Sequence, residues 1–197
     1  MGKEPIGVIF AGGKGERLGL GPKADVLLDG KPLLTHIAER LAPQCKEILV
    51  SARPSQSVPG DHAVIPDIEA DADAGIMVGI ISAVRWMTAH RPGQSFVTAP
   101  VDTPFLPDDY VGRLSADPAR PAVVHSTNRV HGLSAYFPAS SFAAIEEVWV
   151  SGERMVRALH ERIRSRAVVL GDGQEDVFLN INTQEDLKAA AALMSRR

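Results

Sequence analysis

The chain has little of what would mark it as secreted, membrane-bound or nucleic-acid-binding. One cysteine, Cys45, in 197 residues excludes an internal disulfide framework, and at this length roughly 70% of the unfolded surface can be buried without such staples. A lone cysteine also fits a reducing compartment. Aromatic residues are scarce at 5% against 45% hydrophobic residues overall, so the core must be mainly aliphatic. The 21 basic and 24 acidic side chains nearly cancel to a formal charge of -3, which lacks the positive bias of non-specific nucleic-acid binders. Any polyanion bound must therefore meet a local basic cluster. No run approaches the roughly 18 apolar residues of a membrane helix. The opening goes from a short polar lead into a strand pattern, and the expectation is a cytoplasmic protein with neither nucleic acid nor membrane as partner.

What is present is an alternation of short apolar runs and amphipathic stretches. Ile6 to Ala11 is a continuous apolar run ending in glycines, as expected of a strand buried on both faces. From Lys31 to Leu41, the spacing puts Leu33, Leu34, Ile37, Ala38 and Leu41 on one helix face, with Pro43 just beyond. Further strands are expected at Glu47 to Ala52, Ala63 to Ile65 and Ser95 to Ala99, around a helix over Gly75 to Ala89 with Ile76, Ile80, Val84 and Met87 inward. After Pro100 the pattern predicts strands at 122–126, 133–137, 167–170 and 177–179. Polar helices are expected around 140–150 and 153–164, and a closing helix over 183–194 capped by Thr183. Such alternation argues for one domain over 1–197 with a mostly parallel sheet covered on both faces, a three-layer α/β/α Rossmann-like architecture.

The first strand runs into a loop, from Ala11 to Lys23, that holds five glycines and the cations Lys14, Arg17 and Lys23. Glycines let backbone N–H groups approach an anion, and the cations supply the positive charge that the whole chain lacks. A solvated surface loop is the plain alternative, but open α/β sheets bind ligands at this end of a central strand. Two familiar phosphate loops do not fit. A Walker loop needs Ser or Thr after Gly-Lys, where Gly15 follows Lys14. A dinucleotide fingerprint needs glycine where Leu18 stands and an acid near the second strand's end, which here reads ILVSARPS.

Asp102 follows the strand over 95–99 and falls at the same sheet edge as the glycine loop. A single carboxylate bridged to phosphate oxygens suffices for Mg²⁺, so Asp102 is a candidate metal ligand, the alternative being a cap of the turn before Pro104. Asp67 ends another strand and opens a run of acids with Glu69, Asp71 and Asp73, which reads as a solvated loop.

The loop resembles the A-G-G-x-x-x-R-x-G…K signature of nucleotidyltransferases with a Rossmann-like fold. Several further segments, in order, are similar to the molybdenum cofactor guanylyltransferase family: Gly30-Lys31-Pro32-Leu33, Pro66-Asp67, Gly75…Gly79-Ile80, Asp102-Thr103-Pro104, His131-Gly132-Leu133 and Asn180-Ile181-Asn182-Thr183…Glu185-Asp186-Leu187. The likeness spans residues 6 to 190. Two departures stand out: Pro22 where the family usually has an acid before the loop lysine, and Gly-Ile-Met-Val-Gly-Ile over 75–80 where relatives tend to have Gly-Pro-Leu.

The resemblance implies GMP transfer from GTP to the terminal phosphate of molybdopterin or its molybdenum-bound form, with Mg²⁺ as cofactor and pyrophosphate as by-product. Molybdenum-cofactor insertion proteins and molybdoenzymes would be downstream partners. It implies Lys23, Arg17 and Asp102 as catalytic residues. Ala11, Gly12, Gly13, Lys14, Gly15, Arg17, Lys23, Asp67 and Asp102 would bind the nucleotide, Asp67 at the base or ribose. Asn180, Asn182 and His131 are candidate acceptor contacts, beside a plain structural role for each. The attacking phosphate oxygen is already anionic, so no general base is required. A sister enzyme for another base or acceptor, such as a molybdopterin cytidylyltransferase or a sugar-phosphate nucleotidyltransferase, shares the loop. A non-catalytic nucleotide or cofactor carrier is the remaining alternative.

Overall fold

The computed structural model describes residues 4–13, 18–68, 75–126, 129–170 and 175–196. Its centre is the strand β1 (Ile6–Phe10), whose apolar run is buried along almost its full length. Next comes a hairpin of β2 (Leu27–Leu28) and β3 (Lys31–Pro32), turned by Asp29 and Gly30, both at positive φ (51° and 75°). That is the backbone a two-residue Asp-Gly hairpin turn demands. Helix α1 (Leu33–Leu41) follows, with all five expected apolar residues buried. Lys31 and Pro32 belong to the hairpin rather than to the helix, because Pro32 holds extended backbone and α1 starts after it.

Strands β4 (Ile48–Ala52) and β5 (Ala63–Pro66) extend the sheet, and helix α2 (Met77–His90) returns the chain to β6 (Phe96–Pro100) on the other side of β1. A short helix α3 (Tyr110–Leu114) precedes β7 (Ala122–Ser126) and the long β8 (Arg129–Phe137). Then come α4 (Phe142–Val150), α5 (Val156–Arg162), β9 (Arg166–Val169) and α6 (Gln184–Met194). The seven-stranded sheet has the order β5-β4-β1-β6-β8-β7-β9. β8 alone runs against its neighbours β6 and β7, and the other pairings are parallel.

Side chains alternate between two apolar layers, as a strand period of two requires. Ile9, Val50, Val97 and Val124 pack with α1, α3 and α6, whereas Val8, Leu49, Phe96 and Val123 pack with α2, α4 and α5. This is the expected α/β/α sandwich with a mostly parallel sheet. The chain turns from β1 outward to β5, then recrosses to β6, so the crevice past the carboxyl ends of β1 and β6 is where such sheets bind ligands.

Some expectations are corrected. The segment expected as a strand over 177–179 is a 3-10 turn, Glu175–Phe178, because Val177 and Phe178 fill the α1/α6 layer rather than pairing with an edge. Ile76 does not face inward: it lies just before α2 begins and is 57% exposed. α4 is not polar, since Phe142, Ile145 and Val148 anchor it on α2's layer. α5 begins only at Val156, after the turn in which Glu153 accepts the backbone N–H groups of Arg154 and Met155.

Candidate active site

The crevice is a cleft of about 670 Å³ past the carboxyl ends of β1, β4 and β6. Of the expected site residues, Gly12, Gly13, Lys23, Asp67, Asp102, His131, Asn180 and Asn182 all line it. Ala11 does not. It is the continuation of β1, its methyl is fully buried, and its backbone N–H and C=O are taken by Ser51 O and the Gln56 side chain. Lys14, Gly15 and Arg17, and the acids Glu69, Asp71 and Asp73, lie outside the described residues.

Lys23 occupies the middle of the cleft. It begins a 3-10 turn, Lys23–Asp25, and its backbone N–H donates to Gly13 O at 3.4 Å. Its aliphatic stem crosses Gly13 so closely that a Cβ there would lie 3.3 Å from Lys23 Cδ. The ammonium donates to Asp102 Oδ2 at 2.6 Å and to Asn182 Oδ1 at 2.5 Å. With side chains only 14% and 15% exposed, Lys23 and Asp102 form a shielded ion pair rather than a surface one.

Asp102 sits in the turn after β6, where Val101 N–H donates to Phe10 O and Thr103 N–H to Pro100 O. Its carbonyl accepts the N–H of Ile181 at 2.9 Å, which draws the Asn180–Asn182 segment against the metal candidate. That segment is fixed from its other end by the first turn of α6. Asp186 Oδ2 accepts the N–H groups of Asn182 (2.9 Å) and Thr183 (2.8 Å), while Thr183 Oγ1 accepts Asp186 N–H at 3.1 Å. This reciprocal capping box is how a helix start becomes part of the site. Those backbone donors, Asn182 first, hold the Asp186 carboxyl below its ordinary range.

Two buried oxygens in the centre are left over. Asp102 Oδ1 and Asn180 Oδ1 accept no hydrogen bond among the described residues. Unpartnered buried acceptors carry a desolvation cost, and hard oxygen donors of this type suit Mg²⁺, which keeps several waters and phosphate oxygens of its own. The described residues hold no cluster of three or more acids, histidines or cysteines that could build an all-protein metal cage. A metal held through Asp102 and completed by substrate phosphates therefore fits the residues present.

Asp67 closes one side of the cleft. It follows β5, and Ser51 Oγ, at the end of β4, donates to its Oδ1 at 2.8 Å. Burial pushes the Asp67 carboxyl above the ordinary aspartate range, against the opposing pull of Ser51 and then Arg53. Oδ2 lies 3.3 Å from where a Cβ on Gly12 would stand, and a Cβ on Gly79 would come within 3.1 Å of the Phe10 ring. Glycine at both positions lets these groups pack closely, and together with Phe10 and Asp67 they line the slot on this side of the cleft.

The opposite side belongs to β8. His131 Nε2 pairs with Ser126 Oγ at 2.9 Å and its ring packs on Phe178 at 4.6 Å. Burial first, then the charges of Arg129 and His125, hold His131 below the usual histidine range, which favours its neutral form. The next residue, Gly132, is backed by buried His160, whose Nε2 bonds Gly132 O at 2.8 Å. Sequence reasoning missed Ser51, Arg53, Gln56 and Arg129. The first three sit in SARPSQ, a stretch legible only as lacking the acid of a dinucleotide site.

The model of a MobA-like NTP transferase domain matches residues 7–168. A molybdenum cofactor guanylyltransferase of Cereibacter sphaeroides is 35% identical over 197 residues, covering 97% of both chains. One from Acidiphilium cryptum is 37% identical over 193 residues, covering 94% of this chain and 93% of its own. Among solved structures, molybdopterin-guanine dinucleotide biosynthesis protein A of Archaeoglobus fulgidus aligns with a TM-score of 0.74 at 24% identity, covering 98% of this chain and all of that one. A Thermus thermophilus 2-C-methyl-D-erythritol 4-phosphate cytidylyltransferase aligns at 0.68 with 19% identity, covering 98% and 99%, a likeness of fold alone.

Proposed function

The chain belongs to the MobA-like NTP transferase domain family, and within that nucleotidyltransferase family we propose that it transfers GMP from GTP to the terminal phosphate of molybdopterin. The observation that carries this reading is the central triad of Lys23, Asp102 and Asn182, placed between a glycine-lined slot and the β8 wall. The slot takes the base, the β8 side takes the acceptor, and their phosphates meet at Lys23.

In this reading the acceptor's phosphate oxygen attacks the α-phosphorus of GTP, and the bond to the β-phosphate's bridging oxygen breaks as pyrophosphate leaves. The nucleophile carries no proton to remove, which agrees with a centre built from a lysine, an aspartate and asparagines rather than a nucleophile and base. Lys23, positioned by Asp102 and Asn182, neutralises charge on the α-phosphate. The Gly12 and Gly13 amides donate to the outer phosphates. Asp102, with Asn180 beside it, would hold Mg²⁺, whose role when bound is to offset phosphate charge. Asp67, ionised, accepts the N1 and N2 protons of guanine and repels the acceptor edge of other bases. Among the described residues no helix is long and apolar enough to cross a membrane.

The fold alone also suits a cytidylyltransferase; Asp67, a pure acceptor facing the slot, favours guanine. Pyrophosphate release with Mg²⁺ should require both GTP and molybdopterin, fail with CTP, ATP and UTP, and vanish in Asp102→Ala. Release with CTP would place the protein among cytidylyltransferases, and silence with all four would contradict nucleotidyl transfer to this acceptor.

A further inference from the structure

The turn after β4 reaches back across the sheet edge to the glycine loop. Arg53 Nη2 donates to Gly12 O at 2.7 Å and Gln56 Nε2 donates to Ala11 O at 2.9 Å. The two donors come from one turn, closed by Gln56 N–H on Arg53 O at 2.9 Å. They take two successive carbonyls of the segment that leaves β1. Ala11 N–H, in turn, is tied to Ser51 O at 2.8 Å, and Gly13 O accepts Lys23 N–H.

A trans peptide directs its C=O and N–H to opposite sides. Holding Ala11 O toward Gln56 therefore aims Gly12 N–H the other way, and holding Gly12 O toward Arg53 does the same for Gly13 N–H. Neither of these amides donates to a partner among the described residues, and both glycines line the cleft. Left alone, a Gly-Gly peptide reverses at little steric cost, and reversal would turn a carbonyl oxygen toward the phosphates. Among the described residues Gln56 Oε1 is buried without a partner, so the bond to Ala11 O is the one that holds this side chain.

Resting on the nucleotide-binding reading above, we propose that Arg53 and Gln56 are positioning residues, a two-point clamp on the glycine-loop carbonyls that presents the Gly12 and Gly13 amides to the triphosphate. Gln56 separates this from simple charge attraction, because it is neutral and reaches the loop through the N–H that it donates to Ala11 O. Arg53 has a second influence, lowering the Asp67 carboxyl, which a lysine substitution keeps.

The test is titration calorimetry of the wild-type chain, Gln56→Leu, Arg53→Ala and Arg53→Lys with GTP and separately with guanosine, which has the base and ribose but no phosphate. Gln56→Leu should weaken GTP about tenfold, the scale of losing one aligned charge-assisted donor, and leave guanosine unchanged. Arg53→Ala should weaken GTP by at least as much, and Arg53→Lys should recover most of it. Equal losses for GTP and guanosine in Gln56→Leu would overturn the clamp in favour of a general support of the pocket, as would unchanged GTP affinity. A wild-type chain that binds no triphosphate would overturn the nucleotide reading itself, and the clamp with it.

Discussion

The two walls of the cleft are built by different means. On the proposed base side, the carboxyl ends of β1 and β4 and the first turn of α2 deliver backbone and small residues, namely Gly12 and Gly13, Ser51, and Gly79, with Asp67 after β5 as the charged side chain. On the proposed acceptor side, the antiparallel strand β8 and the segment before α6 deliver side chains: His131, paired with Ser126 of the adjacent β7, Asn182, which accepts from Lys23, and Asn180, brought in by the Ile181–Asp102 backbone bond. On the proposed function, the first wall would recognise a nucleotide shared by a wide enzyme class, for which backbone geometry suffices. The second would recognise one acceptor, and its shape depends on tertiary contacts such as His160 behind Gly132.

The largest expected effect comes from the centre, where the walls meet. Lys23→Ala removes the cation facing the α-phosphate and leaves Asp102 without its ion-pair partner; kcat should fall on the order of 10² to 10³, the loss typical of one preorganised transition-state donor. A steady-state assay showing a wild-type kcat with only KM raised would assign Lys23 to ground-state binding alone. On the base wall, Asp67→Asn should erode the preference for GTP over ATP by roughly tenfold to a hundredfold, about 1–3 kcal/mol for hydrogen bonds to a charged group. Because burial raises the Asp67 carboxyl, guanine binding should be full above that raised value and weaken as pH falls through it. In Asp67→Asn the pH dependence of Kd should flatten; a retained slope would point to another group.

Gly132→Ala tests the other wall. A Cβ there would lie 2.7 Å from Val156 Cγ1, so the packing of β8 on α5 must shift on this wall. KM for the acceptor should rise several-fold, of the order expected from about 1 kcal/mol of misfit, while Kd for GTP stays put. Equal damage to both would mean that the walls are not independent. The smallest effect is on stability. Thr183→Ala breaks the capping box and should cost about 1 kcal/mol, read as a lower Tm. Since the Asp186 carboxyl is depressed in the fold, its contribution is present above the ordinary aspartate range and is lost as pH falls through that range to the depressed value. The Tm gap between Thr183→Ala and wild type should narrow in acid.

The difference between the walls also explains what the sequence discloses. β1, β4 and β6 announce themselves by continuous apolar runs, and α1 by five apolar residues at helical spacing, because local pattern and burial agree there. Thr183 was legible as a cap for the same reason. Val177 to Leu179 misled because an apolar triplet fits a strand or a buried turn equally well. The Asp29-Gly30 hairpin was legible in principle but sat beneath the stronger helix pattern beginning nearby. In the site, Lys23 and Asp102 stood out by position relative to strands. Their contact with Asn182, across 159 residues of chain from Lys23, arises from the Ile181–Asp102 backbone bond and could not be read locally. Ser51, Arg53 and Gln56 carry no motif of their own, since two of them act by touching backbone.

On the proposed function, this cleft selects guanine and passes its nucleotide to molybdopterin. The direct measurement is a competition: equimolar GTP, CTP, ATP and UTP with Mg²⁺ and molybdopterin, and mass spectrometry of the dinucleotide formed. The account predicts the guanine dinucleotide as the dominant product, with that dominance reduced in Asp67→Asn. A cytosine dinucleotide from the wild-type enzyme, or no nucleotide joined to the pterin phosphate, would contradict it.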